Sequence, residues 1–110
     1  MVSISKSSWD SLGEEDQSAV VDRLRKRNLL GKNEQIITDP DLEPMSFDHV
    51  DISGVVLGGN IKKCRKRCSK FAEFMYRRCI EEGGTPRQCD KAAEADYKDC
   101  LEEGLKESQA

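Results

Sequence analysis

Five cysteines, at positions 64, 68, 79, 89 and 100, are the side chains best equipped for chemistry in this 110-residue chain. Thiols in such number suit a metal site, a redox centre or a covalent staple, and spacing separates the three. Structural zinc sites take cysteines two to four residues apart, completed by histidine or a second pair. Only Cys64 and Cys68 are so spaced, and the single histidine, His49, has no other ligand type at a suitable interval. A Cys-x-x-Cys redox motif is absent. No metal ligand, cofactor-binding loop or catalytic residue is therefore assigned, and His49 reads as a surface side chain. Cys68, Cys79, Cys89 and Cys100 instead form a pattern symmetrical about "GGTP", with ten, nine and ten residues between successive members.

The surrounding sequence supplies two helices to carry that pattern. In "NIKKCRKRCSKFAEFMYRRCIEEGG", Ile61, Cys64, Cys68, Phe71, Ala72, Met75 and Cys79 recur at three- and four-residue intervals, one stripe of a helix. Gly83-Gly84 should end it, and Thr85-Pro86 reads as the cap and first-turn proline of a second helix reaching about Glu103. An offset of eleven residues is close to three helical turns, so the two cysteines of each helix share a face. Folding at the glycines sets Cys79 opposite Cys89 and Cys68 opposite Cys100, with Met75 meeting Ala93 and Phe71 meeting Tyr97. Ala92 and Ala93 permit the close approach that disulfides require. The expected pairs are Cys68–Cys100 and Cys79–Cys89. Cys64, one turn before Cys68, is left over, either as a free thiol near the open end or as the link of a disulfide-bonded dimer. Lys63 and Arg65 beside it would favour the reactive thiolate.

The paired cysteines on two antiparallel helices resemble the coiled-coil-helix-coiled-coil-helix (CHCH) proteins, over residues 64–104 only. That resemblance implies a non-enzymatic part of an assembly, a metallochaperone or an import factor. It also implies the mitochondrial intermembrane space, whose residents are retained by oxidative folding without a cleaved presequence. Stapled hairpins of this shape also occur in bacterial envelope and secreted proteins, and every reading requires an oxidising compartment.

Residues 1–59 have a different character. They carry six basic and eleven acidic side chains, against twelve and ten in residues 60–110, which hold all five cysteines. The shift falls at Gly58-Gly59 and divides the chain into 1–59, a small helix with a strand and loop segment, and 60–110, the stapled hairpin. The expected fold is mainly α, with a small β/coil segment. A helix is expected over about residues 12–28, capped by Asp10 or Ser11 and stopped by Gly31, with an edge strand at Gln35–Thr38. Val50, Ile52 and Val55–Leu57 offer a hairpin or an extended linker. Trp9, the only tryptophan, reads as a staple on the first helix or as a partner anchor.

With 36% hydrophobic and 35% charged residues the core must be small, so covalent staples matter. The chain has no apolar run of membrane-spanning length and no conventional secretory signal. The run "KKCRKRCSK" offers Lys62, Lys63, Arg65, Lys66 and Arg67 to an acidic protein or an anionic membrane surface. Its other reading is internal neutralisation by Glu102, Glu103 and Glu107 at the end of the second helix. Nucleic acid is disfavoured by the net charge of −3 and by the lack of aromatics within the run. The expected function is a non-enzymatic protein-interaction module: an assembly component, adaptor or inhibitor. The alternative is a precursor cut after Gly59 to release an exported bioactive or antimicrobial peptide.

Overall fold

The computed structural model describes residues 2–52 and 61–109, with side chains described for 2–52 and 64–103. Gly58-Gly59 and Val55–Leu57 lie outside the described residues. In chain order the elements are β1 (Ser3–Ser5), α1 (Lys6–Asp10), α2 (Glu14–Lys26), β2 (Ile37–Asp39), α3 (Ile61–Glu81) and α4 (Pro86–Gln109).

The two long helices are punctuated by their own residues. At the end of α3, the Gly83 N–H donates to the Ile80 carbonyl (3.0 Å) and the Gly84 N–H to that of Cys79 (2.9 Å). This paired pattern requires a left-handed residue, and Gly83 provides it with φ 97°. Gly84 must be glycine for another reason: a Cβ there would stand 2.7 Å from both Cys79 Sγ and Cys89 Sγ. Helix α4 then begins in a reciprocal capping box. The Gln88 N–H donates to Thr85 Oγ1 (3.2 Å), and the Thr85 N–H donates to Gln88 Oε1 (3.3 Å).

The turn sets α3 and α4 side by side, joined by Cys68–Cys100 (Cα–Cα 5.6 Å) and Cys79–Cys89 (5.5 Å). Both pairs are those expected from the helical spacing. Ala93 is fully buried at the seam, whereas Ala92 faces solvent and takes no part.

The first half departs from expectation in detail. Ser5, not Asp10 or Ser11, is the first cap; its hydroxyl accepts from the Ser8 N–H and starts α1. Gly13 then opens α2, whose first-turn Glu14, Glu15 and Asp16 and last-turn Arg23, Arg25 and Lys26 match the helix dipole. Helix α2 ends at Lys26, five residues before Gly31. Asn28 adopts φ 59°, and the Leu29 N–H donates to the Leu24 carbonyl (2.9 Å), so asparagine does what the glycine was expected to do. The expected edge strand appears as β2 and pairs in parallel with β1, Ile4 opposite Thr38. Residues 46–52 form no strand.

Helix α3 lies at the centre. Its residues Lys70, Phe71, Ala72, Glu73 and Phe74 are all buried, a run longer than one helix face. A helix buried around most of its girth needs neighbours on several sides. Here α4 covers one side, and α2 and β1 cover the others. One apolar cluster joins both parts of the chain: Ile4, Trp9, Leu24 and Phe47 with Phe71, Phe74, Tyr97 and Leu101. Tyr97 stacks on Phe47 with ring centroids 5.4 Å apart. Phe71 lies under the guanidinium of Arg23, 4.6 Å from its ring centroid.

Candidate functional site

The open end of the hairpin, where sequence concentrates Cys64 and the basic run, is the first candidate. Cys64 is a half-buried thiol on α3 that takes part in no disulfide. It lines a cavity of about 420 Å³ between α2 and the outer disulfide, together with Cys68, Cys100, Phe71 and Arg27.

Two arginines of the basic run, Arg65 and Arg67, are engaged by other parts of the chain. Arg67 donates from Nε to Asp16 Oδ1 (2.6 Å) and lies 3.7 Å from Glu15, both on α2. Arg65 donates from Nε to the Tyr97 hydroxyl (3.1 Å), a bond that raises the Arg65 pKa, and reaches Asp48 at 4.0 Å. Lys66 remains exposed. The side chains of Lys62, Lys63 and Glu107 lie outside those described. Of the side chains expected to neutralise one another here, Glu103 and Arg67 each also pair with α2. Glu103 receives Arg23 Nη1 (2.6 Å) and Arg27 Nη2 (2.8 Å), while Arg67 of α3 turns to Asp16 of α2. The physical reason is placement: α2 packs on α3 with acids at its start and bases at its end, so each end meets the opposite charge.

Trp9 is 9% exposed and belongs to the apolar cluster, which is the packing role of the two considered for it. His49 is a surface residue, its Nε2 3.2 Å from Glu94 Oε1.

Sequence reasoning missed a fully buried carboxylate. Glu73 is fully buried, and its Oε2 accepts the Ser5 N–H at 2.7 Å. Its Oε1 lies 3.4 Å from Lys70 Nζ and 3.5 Å from Ser8 Oγ, and Arg77 Nη2 stands 3.8 Å from Oε2. Burial lowers the pKa of Lys70, and the adjacent Glu73 opposes that shift. Hydroxyl, amine and carboxylate are the types a nucleophilic site would use, but here they are sealed in the interior. Ser8 Oγ donates to the Ser5 carbonyl (3.2 Å), and the carboxylate is surrounded by donors. The cluster fastens β1 and α1 to α3. In sequence the one signal for this network is the interval of three and four shared by Lys70, Glu73 and Arg77.

Asp96, on α4, is half-buried; burial raises its pKa, with the Arg27 charge opposing. Among the described residues no cluster of histidine, cysteine or carboxylate could hold a metal ion, and no helix is long and apolar enough to cross a membrane.

A second cavity, of about 380 Å³, lies at the other side of the molecule, where the start of the sheet meets the C-terminal half of α3. Val2, Leu29, Leu30, Ile37 and Phe74 give it an apolar floor. No protein-family model matches the chain, and neither the curated proteins nor the solved structures include a match. The two intramolecular disulfides fit an oxidising environment.

Proposed function

We propose that the protein is a non-enzymatic interaction module: an assembly component, adaptor or inhibitor whose stapled hairpin holds a fixed surface for another protein. The observation that carries this reading is the position of both disulfides, one toward each end of the α3–α4 seam. Cross-links so placed hold two helices in one register and reduce the ordering cost of binding. The polar groups with catalytic potential, Ser8, Lys70 and Glu73, are spent on joining the two parts of the chain. The setting is the bacterial envelope, the extracellular space or, if the CHCH resemblance reflects kinship, the mitochondrial intermembrane space.

The partner's character follows from what is left exposed. Arg65 and Arg67 are engaged internally, so the run at the start of α3 offers an acidic partner less than its sequence suggested.

Affinity capture from the native source tests the module. The oxidised chain should retain a protein partner at a fixed ratio, and the reduced, alkylated chain should lose it. Retention of nothing by the oxidised chain, or equal retention by both forms, would refute the reading.

A further inference from the structure

The two disulfides differ in how a thiol could reach them. Cys68, Cys89 and Cys100 are 2%, 0% and 6% exposed, while Cys79 alone of the four bonded cysteines is half-buried. The outer pair borders the cavity shared with Cys64, but both its residues are nearly closed to solvent. The inner pair sits against the turn, where residues 82, 83 and 85–88 are exposed. Gly84 packs on both sulfurs with backbone only, since a Cβ there would stand 2.7 Å from each. Thiol–disulfide exchange depends on which sulfur is attacked, on access to it, and on how well the expelled sulfur carries charge. Attack on Cys79 expels Cys89. Cys89 lies in the first turn of the 24-residue α4, a turn without acidic residues, where the positive end of the helix dipole favours a thiolate. Burial opposes that charge, and the dipole offsets it. Cys68 and Cys100 lie beyond the first turns of α3 and α4, out of reach of that effect. The inner pair also closes 10 residues against 32, so it adds less to stability and is given up more readily.

We propose that Cys79–Cys89 is an exchange site for low-molecular-weight thiols, attacked at Cys79, while Cys68–Cys100 is a structural link. In the first step a small thiolate bonds to Cys79 Sγ and the Cys79–Cys89 bond breaks. The electron pair leaves on Cys89 Sγ, which takes a proton from solvent. In the second step another thiolate attacks the small-molecule sulfur of the mixed disulfide, releasing a small disulfide and the Cys79 thiolate. Two small thiols are thereby oxidised and one protein disulfide is reduced. The outer link and the core around Phe71 and Tyr97 keep α3 and α4 together, while the turn end of the hairpin is released. One cross-link thus responds to the thiols around the protein and the other holds the fold. The inference does not depend on the interaction-module reading.

The test is a time course of the oxidised full chain with reduced glutathione in native buffer. Samples are quenched with iodoacetamide, digested, and mapped by mass. Label should appear on Cys79 and Cys89 about tenfold faster than on Cys68 and Cys100. Early samples should hold a glutathione adduct on Cys79 together with label on Cys89. Circular dichroism at that stage should keep most of the helical signal, because the outer pair is still closed. Opening of Cys68–Cys100 first or in step with the inner pair, whether by glutathione or by Cys64, would overturn the proposal. So would an adduct on Cys89, or resistance of both pairs until denaturant is added.

Discussion

The α3–α4 hairpin and the 2–52 segment that wraps it contribute to one core, yet they are secured by different physics. The hairpin has two covalent cross-links and a turn of glycines, threonine and proline whose backbone geometry its own side chains satisfy. The wrap has a two-stranded parallel sheet of three-residue strands, a five-residue helix and a thirteen-residue helix. It is tied down by a buried carboxylate, arginine–carboxylate pairs and a few aromatic contacts. Covalent links act by restricting the unfolded chain, so their effect depends on loop length. Buried charged contacts depend on every partner staying in place, because removing one leaves the others desolvated and unmatched. The hairpin should therefore tolerate loss of the wrap better than the wrap tolerates loss of the hairpin.

The strongest perturbation should be the outer disulfide. It closes 32 residues against 10 for the inner one, so Cys68→Ser with Cys100→Ser should cost about 4 kcal/mol and loss of the inner pair about 3 kcal/mol. Denaturant unfolding of the two double variants measures the difference, and digestion without reductant should recover both parent pairs. Next is Glu73→Ala, which strands the Ser5 N–H and the Lys70 ammonium in the interior and should cost about 3 kcal/mol, chiefly by releasing β1 and α1. Thermal melts monitored by Trp9 fluorescence should show the loss, since Trp9 reports on the wrap.

Arg67→Gln should have a smaller effect, about 1 kcal/mol, because its pair with Asp16 is half-exposed on the arginine side. Smallest is Asp96→Asn. Burial raises the Asp96 pKa, so the folded state holds this proton more tightly than the unfolded chain does. Its contribution is full below the ordinary value of 3.8 and is lost as pH rises through the higher folded value. The asparagine variant should therefore be slightly more stable than the parent at neutral pH, with the gap closing in acid. A variant less stable at neutral pH would show that the Arg27 attraction outweighs desolvation.

The same contrast explains what could be read from the sequence. The hairpin was legible because its determinants are local or periodic: cysteines eleven apart, Gly83-Gly84, and Thr85-Pro86. The wrap was not, because its determinants lie in pairs far apart in the chain. Nothing near Ser5 announces Glu73, and nothing near Asp16 announces Arg67; each pair exists only once α2 and β1 have found α3. Likewise nothing near Glu103 announces Arg23 and Arg27, which α2 brings to it. Asn28 replaced Gly31 as the helix stop because asparagine also tolerates the left-handed region, a weaker signal than glycine.

Amide hydrogen exchange on the oxidised Glu73→Ala chain tests the central contrast most directly. Protection should fall along β1, β2 and α2 while the amides of α3 and α4 between the two disulfides keep most of theirs, since local opening follows the weaker contacts. If α3 and α4 lose protection in step with α2, the hairpin does not stand on its cross-links, and the division between a self-supporting hairpin and a dependent wrap is wrong.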